Sequence, residues 1–281
     1  MGEYATKSDK MAQYISKIEI KAMWGRQHII WNLRPDVNIL SGVNGVGKST
    51  ILNTAVRHLE MIGGGKISND PSSDVHFEFF PGNATFIRYD VIRSIDRSII
   101  QSNLLEKMAD SNVVSELDWQ VYQLQRKYLD YQVNIGNRTI EMLTSGDEKQ
   151  AKQAAQVSMR KTQFMDFIDE MFADTNKKIV RGRNDILFEQ YGDRLLPYKL
   201  SSGEKQMLVI LLTVLIQDLQ PGVLFMDEPE ASLHIEWQQQ IIRRVRDMNP
   251  NVQIILTTHS PAVIMDGWMD VVSEVSDITV S

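Results

Sequence analysis

The sequence predicts an α/β fold with a mostly parallel core sheet, an antiparallel β portion and an inserted helical hairpin. Three observations carry this. Short apolar, β-branched runs alternate with stretches of helical spacing at both ends of the chain, as strands joined by crossover helices do. The run Val37 to Leu40 feeds directly into a glycine-rich loop and then a helix. The middle, from about Ile99 to Asn176, has no proline and very little glycine and is rich in Gln, Lys, Glu, Met and Leu. These divide the chain into a polar tail over 1–13, a first α/β part over 14–98, a helical insertion over 99–178 and a second α/β part over 179–281.

Taken in order, Ile15, Ile18 and Ile20 alternate imperfectly with polar residues, and His28 to Trp31 forms a second run. Both are expected strands, as is Val37 to Leu40. Ile51 to Met61 has helical spacing and stops at Gly63-Gly64-Gly65. Val75 to Phe80 and Ala84 to Tyr89 read as strands separated by Pro81-Gly82-Asn83. In the insertion, Leu117, Val121, Leu124, Tyr128, Tyr131 and Ile135 fall at four- and three-residue steps, a seam along one helix face. A looser seam runs through Val157, Phe164, Ile168 and Met171. Ser145-Gly146-Asp147 is the expected turn between the two helices, with Asn134 to Asn137 as a rival. Strands are then expected over Ile186 to Phe188, Val223 to Met226 and Val252 to Thr257, with helices from about Gly203 to Gln217 and Ile235 to Met248.

The composition narrows the function classes. With 281 residues, 43% of them hydrophobic, the chain can bury a full core. The net charge of −6 argues against a surface that is basic all over. The absence of cysteine removes disulfides and Cys-ligated zinc or iron–sulfur sites. The N-terminus lacks the apolar core of a secretory signal. Gly2 and Thr6 match the loose myristoylation pattern, which is read as coincidence in so short a motif. The longest apolar run, Leu208 to Ile216, is about half of the ~18 residues a membrane span needs. No membrane insertion is expected, and a cytoplasmic location is.

Four segments carry chemistry. Gly42-Val43-Asn44-Gly45-Val46-Gly47-Lys48-Ser49 fits the P-loop pattern G-x-x-x-x-G-K-[ST]. Its glycines let the backbone fold around a triphosphate with N–H groups pointing inward, and the helix that follows offers its positive end. Asn44, Gly45, Val46, Gly47, Lys48, Ser49 and Thr50 are the expected ATP contacts. Lys48 would neutralise the β- and γ-phosphates, and the Ser49 hydroxyl would hold Mg²⁺. Val223 to Met226 ends in Asp227-Glu228, as a buried parallel strand delivering acids at its C-terminal edge would. Asp227 would organise Mg²⁺, and Glu228 would polarise the attacking water. Leu200-Ser201-Ser202-Gly203-Glu204-Lys205-Gln206 opens a helix and offers a further anion site in Ser201, Ser202, Gly203 and Glu204. Read as an ordinary cap, Ser202 would face Lys205, not the Glu or Gln of a capping box. Ile254 to Thr258 is an apolar strand ending in a single histidine, His259.

The segment LSSGEKQ, standing shortly before an Asp-Glu strand, resembles the signature motif of ABC-type ATPases. Ala231-Ser232-Leu233-His234 follows where that family has its D-loop, and His259 matches its switch histidine. DEPEASLHIEWQ followed by TTHSPAVI is similar to the soluble branch that includes RecF, SMC proteins and the ATPase part of the overcoming-lysogenization-defect nucleases. The likeness covers about 14–98 and 179–275. It implies an ABC-type head with Lys48, Glu228 and His259 as catalytic residues and ATP and Mg²⁺ as cofactors. It also implies a homodimer bridged by ATP, and a role on DNA or a partner effector such as a nuclease in repair or phage defence. A transporter's ATPase subunit is the alternative. No nuclease domain is expected within the chain.

Two features depart from the family. The strand near Tyr89 is followed by Asp90, Arg93 and Arg97, leaving Gln101 as the remaining Q-loop candidate. Trp24 and Trp31 both stand upstream of the P-loop as candidate adenine contacts or core residues. The basic clusters Lys177-Lys178-Arg181-Arg183 and Arg243-Arg244-Arg246 read as solvated faces ahead of nucleic-acid contacts.

Overall fold

The computed structural model describes residues 10–61, 73–93 and 113–280. Chain order begins β1 (Tyr14–Met23), β2 (Gln27–Asn32), β3 (Val37–Ser41), α1 (Lys48–Met61), β4 (Val75–Phe80) and β5 (Tyr89–Arg93). Then come α2 (Glu116–Thr144), α3 (Glu148–Met171), β6 (Lys177–Ile179), β7 (Phe188–Gln190), β8 (Asp193–Leu195) and α4 (Ser202–Ile216). The last elements are β9 (Gly222–Asp227), α5 (Ile235–Met248), β10 (Val252–Thr258), α6 (Pro261–Met265), β11 (Val272–Glu274) and β12 (Thr279–Val280). Among the described residues no helix is long and apolar enough to cross a membrane. The chain forms two compact units. One comprises Met1–Arg93, Gln220–Glu230 and Pro250–Ser281, the other Ser94–Leu219 and Ala231–Asn249.

The first unit is built on a five-stranded sheet in the order β11-β3-β10-β9-β5, with every pairing parallel. Its central strands are near-continuous apolar runs because both faces are covered: Val223 to Met226 and Ile254 to Leu256 are fully buried. Helix α1 turns Ile51, Leu52, Ala55, Val56 and Leu59 inward. A second sheet, β12-β2-β1-β4, is antiparallel. Both sheets supply one apolar cluster, including Ile18, Ile29 and Trp31 from the antiparallel sheet and Leu40, Phe225 and Ile255 from the parallel one. Gln253 pins the layers from inside: its side-chain amide accepts from Ile15 N–H at 2.8 Å and donates to the carbonyls of Ile15 and Arg34 at 2.8 and 2.7 Å. A buried amide is tolerable when its capacity is met in this way.

In the second unit, α2 and α3 form the expected hairpin. Leu117, Val121, Leu124, Tyr128 and Tyr131 are buried on α2, and Phe164, Met165, Ile168 and Met171 on α3. The turn is Ser145-Gly146-Asp147: Gly146 takes φ 74, and Asp147 caps α3 by accepting from Lys149 N–H at 2.8 Å. The rival turn at 134–137 lies within α2. Ser115 and Asp118 make a reciprocal capping box at the start of α2, and Asp118 also pairs with Lys205 of α4 at 2.7 Å. Strands β6, β7 and β8 form a small antiparallel sheet.

Three expectations shift. The strand expected over 84–89 is regular only from Tyr89 to Arg93. The turn at Pro81 runs on through Ala84, whose N–H reaches Pro81 O, and Thr85 and Phe86 donate to Lys10 O. The strand expected over 186–188 is Phe188–Gln190, because the ladder places Phe188 opposite Ile179 and Leu195. The cap of α4 is Ser201, not Ser202. The frame moves back one residue and puts Glu204 at the third helical position, completing a capping box that Lys205 could not make. The glycine stop at 63–65, Gly2, Thr6, Arg97 and Gln101 lie outside the described residues.

Candidate functional site

Parallel register brings three of the motifs to one edge of the sheet. Thr257 of β10 stands between Leu40 of β3 and Asp227 of β9, and Thr258 pairs with Ser41. The P-loop, Asp227-Glu228 and Thr258-His259 therefore leave three adjacent strands at the same end, the crevice in which open α/β sheets take ligands.

The loop from Gly42 to Gly47 connects β3 to α1. Asn44, Gly45, Val46 and Thr50 are exposed, Gly47 and Ser49 half-buried, and Lys48 is buried. Lys48 Nζ donates to the carbonyls of Gly42 and Val43 at 2.8 and 3.2 Å and lies 3.7 Å from Glu228 Oε1. Its charge is thus held inside the ring of the loop. Gly47 has φ 104, and a Cβ there would come within 2.3 Å of the Trp24 indole. Only glycine meets both conditions. Trp24 lies against the loop while 46% exposed, whereas Trp31 is a core residue at 2%. Of the two tryptophans, Trp24 is the one beside the P-loop.

Asp227 is oriented from two sides: Thr257 Oγ donates to it at 2.6 Å and Asn53 Nδ2 at 3.4 Å. The Thr257 hydroxyl also accepts from Glu228 N–H at 3.0 Å, and Thr257 O accepts the same N–H at 3.1 Å. Glu228 has φ 46, a left-handed conformation that costs a non-glycine residue on the order of 1–3 kcal/mol and persists where surrounding bonds fix it. Here Thr257 supplies those bonds. His259 Nδ1 lies 3.5 Å from Glu228 Oε1 and 3.7 Å from Glu230 Oε1. Lys48 and His259 thus both stand within 4 Å of the Glu228 carboxylate. Thr257, Asn53 and Glu230 are supporting residues that the motif reading left without roles. The only sequence signal for Thr257 and Glu230 was a polar residue inside or just after an apolar run.

The oxygen donors are of the kind a small hard cation takes: one hydroxyl at the start of α1, Ser49, and one carboxylate at the end of β9, Asp227. Among the described residues no group of three or more His, Cys, Asp or Glu is placed to hold a metal. A magnesium ion held by Ser49 and Asp227 would share its coordination with phosphate oxygens and water, its usual habit.

Ser201, Ser202, Gly203 and Glu204 belong to the second unit. Gly203 packs closely on the segment before α5: a Cβ there would meet Ser232 O at 2.4 Å. Glu204 is committed internally. Its carboxylate accepts from Ser201 N–H at 2.8 Å, Thr175 Oγ at 2.8 Å and Lys177 Nζ at 2.8 and 3.0 Å. Burial pushes this carboxyl up, but the Lys177 ammonium, the Ser201 N–H and the Thr175 hydroxyl outweigh it and leave it below the usual range. A carboxylate lowered on folding contributes stability above its unfolded pKa, and the contribution fades as pH falls through its lower native value. Acid titration of unfolding should therefore show wild type losing stability below about pH 4.5, with Glu204→Gln losing less over the same window. Equal slopes would exclude this contribution.

Part of each basic cluster is paired within the second unit. Arg181 pairs with Asp166 and Asp169, Arg183 with Asp185, Arg244 with Glu170, and Lys177 with Glu204.

Residues 150–266 match the family model described as "AAA domain, putative AbiEii toxin, Type IV TA system", a span that includes the Asp-Glu strand and the histidine at the sheet edge. The chain resembles AAA-family ATPases, and its P-loop stands ahead of the matched segment. It is 32% identical over 91 residues to the Retron Vc95 probable ATPase of Vibrio cholerae serotype O1 biovar El Tor, covering 28% of this chain and 18% of that protein. It is 24% identical over 310 residues to the Septu protein PtuA of Bacillus thuringiensis, covering 89% of this chain and 72% of the relative. Among solved structures, the SMC head domain from Thermotoga maritima aligns over 92% of this chain and 94% of its own length, at a TM-score of 0.43 and 16% identity. The chain spans less than a fifth of the retron relative's length.

Proposed function

We propose that the chain binds and hydrolyses ATP as a switch, closing two copies around the nucleotide and acting on a partner effector or on DNA in phage defence or repair. The observation that carries this is the joint placement of Lys48, Asp227, Glu228 and His259 at one sheet edge, with Lys48 and His259 each within 4 Å of Glu228. Kinship with a retron ATPase and a Septu protein supports the defence setting.

The P-loop N–H groups and Lys48 bind the triphosphate and neutralise charge on the β- and γ-phosphates. Ser49 and Asp227 would hold Mg²⁺, which when bound adds further neutralisation of the phosphate oxygens. Glu228, fixed by Thr257, orients a water in line with the γ-phosphorus and accepts its proton. His259 contacts the γ-phosphate and keeps Glu228 and the water in register. The other side of the triphosphate is met by Ser201, Ser202 and Gly203 of a second copy, whose helix start is an anion site. Glu204 shapes that helix start through the capping box.

A pull-down with Glu228→Gln protein held in ATP and Mg²⁺ tests the setting. Capture of a soluble nuclease or of DNA, with stimulation of wild-type ATP turnover by the captured partner, is the expected result. Capture of an integral membrane protein instead would overturn it in favour of transport.

A further inference from the structure

We propose that Glu230 is a positioning residue for turnover, its buried carboxylate setting His259 against Glu228. The inference rests on the ATPase reading above and concerns a residue to which that mechanism gives no task. Strands β9 and β10 pair as far as Asp227 and Thr257, and one further backbone bond, from Glu228 N–H to Thr257 O, closes the ladder. There Glu228 turns away at φ 46, and Pro229 has no N–H to give. The Glu230 side chain takes over where the backbone stops. Its Oε1 accepts from the Thr258 hydroxyl and from His259 N–H at 3.3 Å, and lies 3.7 Å from His259 Nδ1. The Thr258 hydroxyl in turn accepts from Ser260 N–H at 3.0 Å. One oxygen thus engages the hydroxyl, main chain and ring of two successive residues in the segment that carries the histidine.

The Glu230 side chain is 2% exposed. A carboxyl so placed costs folding free energy unless its environment compensates, and it stands three residues from the end of the strand that delivers Asp227. An anchor of this kind fixes the His259 backbone relative to Glu228, whose Oε1 is 3.5 Å from the same ring nitrogen. Loss of the anchor lets the imidazole drift. Displacements of about 1 Å in a reacting group can cost roughly 10²-fold in rate.

Steady-state ATP turnover of wild type, Glu230→Ala, Glu230→Gln, His259→Ala and the double variant Glu230→Ala/His259→Ala tests this. The expected results are a kcat lower by roughly 10–100-fold in Glu230→Ala, KM within about threefold of wild type, and recovery of most of the rate in Glu230→Gln, which keeps an acceptor oxygen. The double variant should be no slower than His259→Ala, because a residue acting through His259 has nothing left to position. Wild-type kcat in Glu230→Ala, multiplied losses in the double variant, or a Gln variant as slow as Ala would each overturn the proposal. If Glu230→Ala does not fold, Thr258→Val removes one donor to the carboxylate and carries the same expectation at smaller size. Histidine ring NMR signals, with His259 assigned by its absence in His259→Ala, separate this idea from the reading beneath it. The His259 signal should move in Glu230→Ala and stay near wild type in Glu230→Gln. An unmoved signal sinks the positioning role even where ATP is turned over, whereas wild-type protein without turnover sinks the ATPase reading itself.

Discussion

Replacing Glu228 by glutamine is expected to leave ATP binding near wild type while turnover falls by roughly 10²–10⁴, the range for loss of a general base. The substitution keeps the shape at a position whose backbone is held by Thr257 through two bonds at 3.0 and 3.1 Å. The left-handed turn at φ 46 is a main-chain property that glutamine inherits. What changes is the carboxylate that Lys48 and His259 both approach. Single-turnover hydrolysis, read beside equilibrium nucleotide binding, separates the two effects. Wild-type hydrolysis in the variant would assign the water to another residue.

Lys48→Ala acts at the earlier step. The ammonium is 3% exposed and enclosed by the carbonyls of Gly42 and Val43, so its removal takes away both the charge proposed to meet phosphate and an internal brace of the loop. Truncating one partner of a buried, hydrogen-bonded charge pair costs about 2–5 kcal/mol, so ATP affinity should drop by about 30-fold or more. Titration calorimetry reads this directly. Affinity equal to wild type would remove Lys48 from the nucleotide site.

How much of this was legible in the sequence follows from which interactions are local. The strand-loop-helix of the P-loop and the apolar strands ending in Asp227-Glu228 and His259 were readable, because each motif is a contiguous run whose burial and turn chemistry are written in neighbouring residues. The hairpin turn at Ser145-Gly146-Asp147 was readable for the same reason. The residues that hold the motifs in place were not. Thr257 bridges Asp227 and Glu228 only because β9 and β10, whose paired residues stand 30 positions apart, pair in one register. Glu230 reads as a turn acid until its side chain is seen folding back on Thr258 and His259. The cap of α4 failed by one residue because two adjacent serines both suit the position. The choice is made by Glu204, which needs Lys177 and Thr175 around it. Trp24 and Trp31 were indistinguishable by composition, and only the sheet sorts the core residue from the one on the loop.

In the proposed switch ATP itself joins two copies: one P-loop would cover a single side of the triphosphate, and Ser201, Ser202 and Gly203 of the other copy would supply a second anion site. A ligand that binds only the closed pair shifts the equilibrium toward it by mass action. Sedimentation of the Glu228→Gln protein with and without ATP and Mg²⁺, alongside Ser202→Arg in the same background, measures this most directly. A dimer with nucleotide, a shift toward monomer without it, and a Ser202→Arg protein that binds ATP yet stays monomeric is the result expected. A Glu228→Gln protein that binds ATP and remains monomeric at high concentration would contradict it.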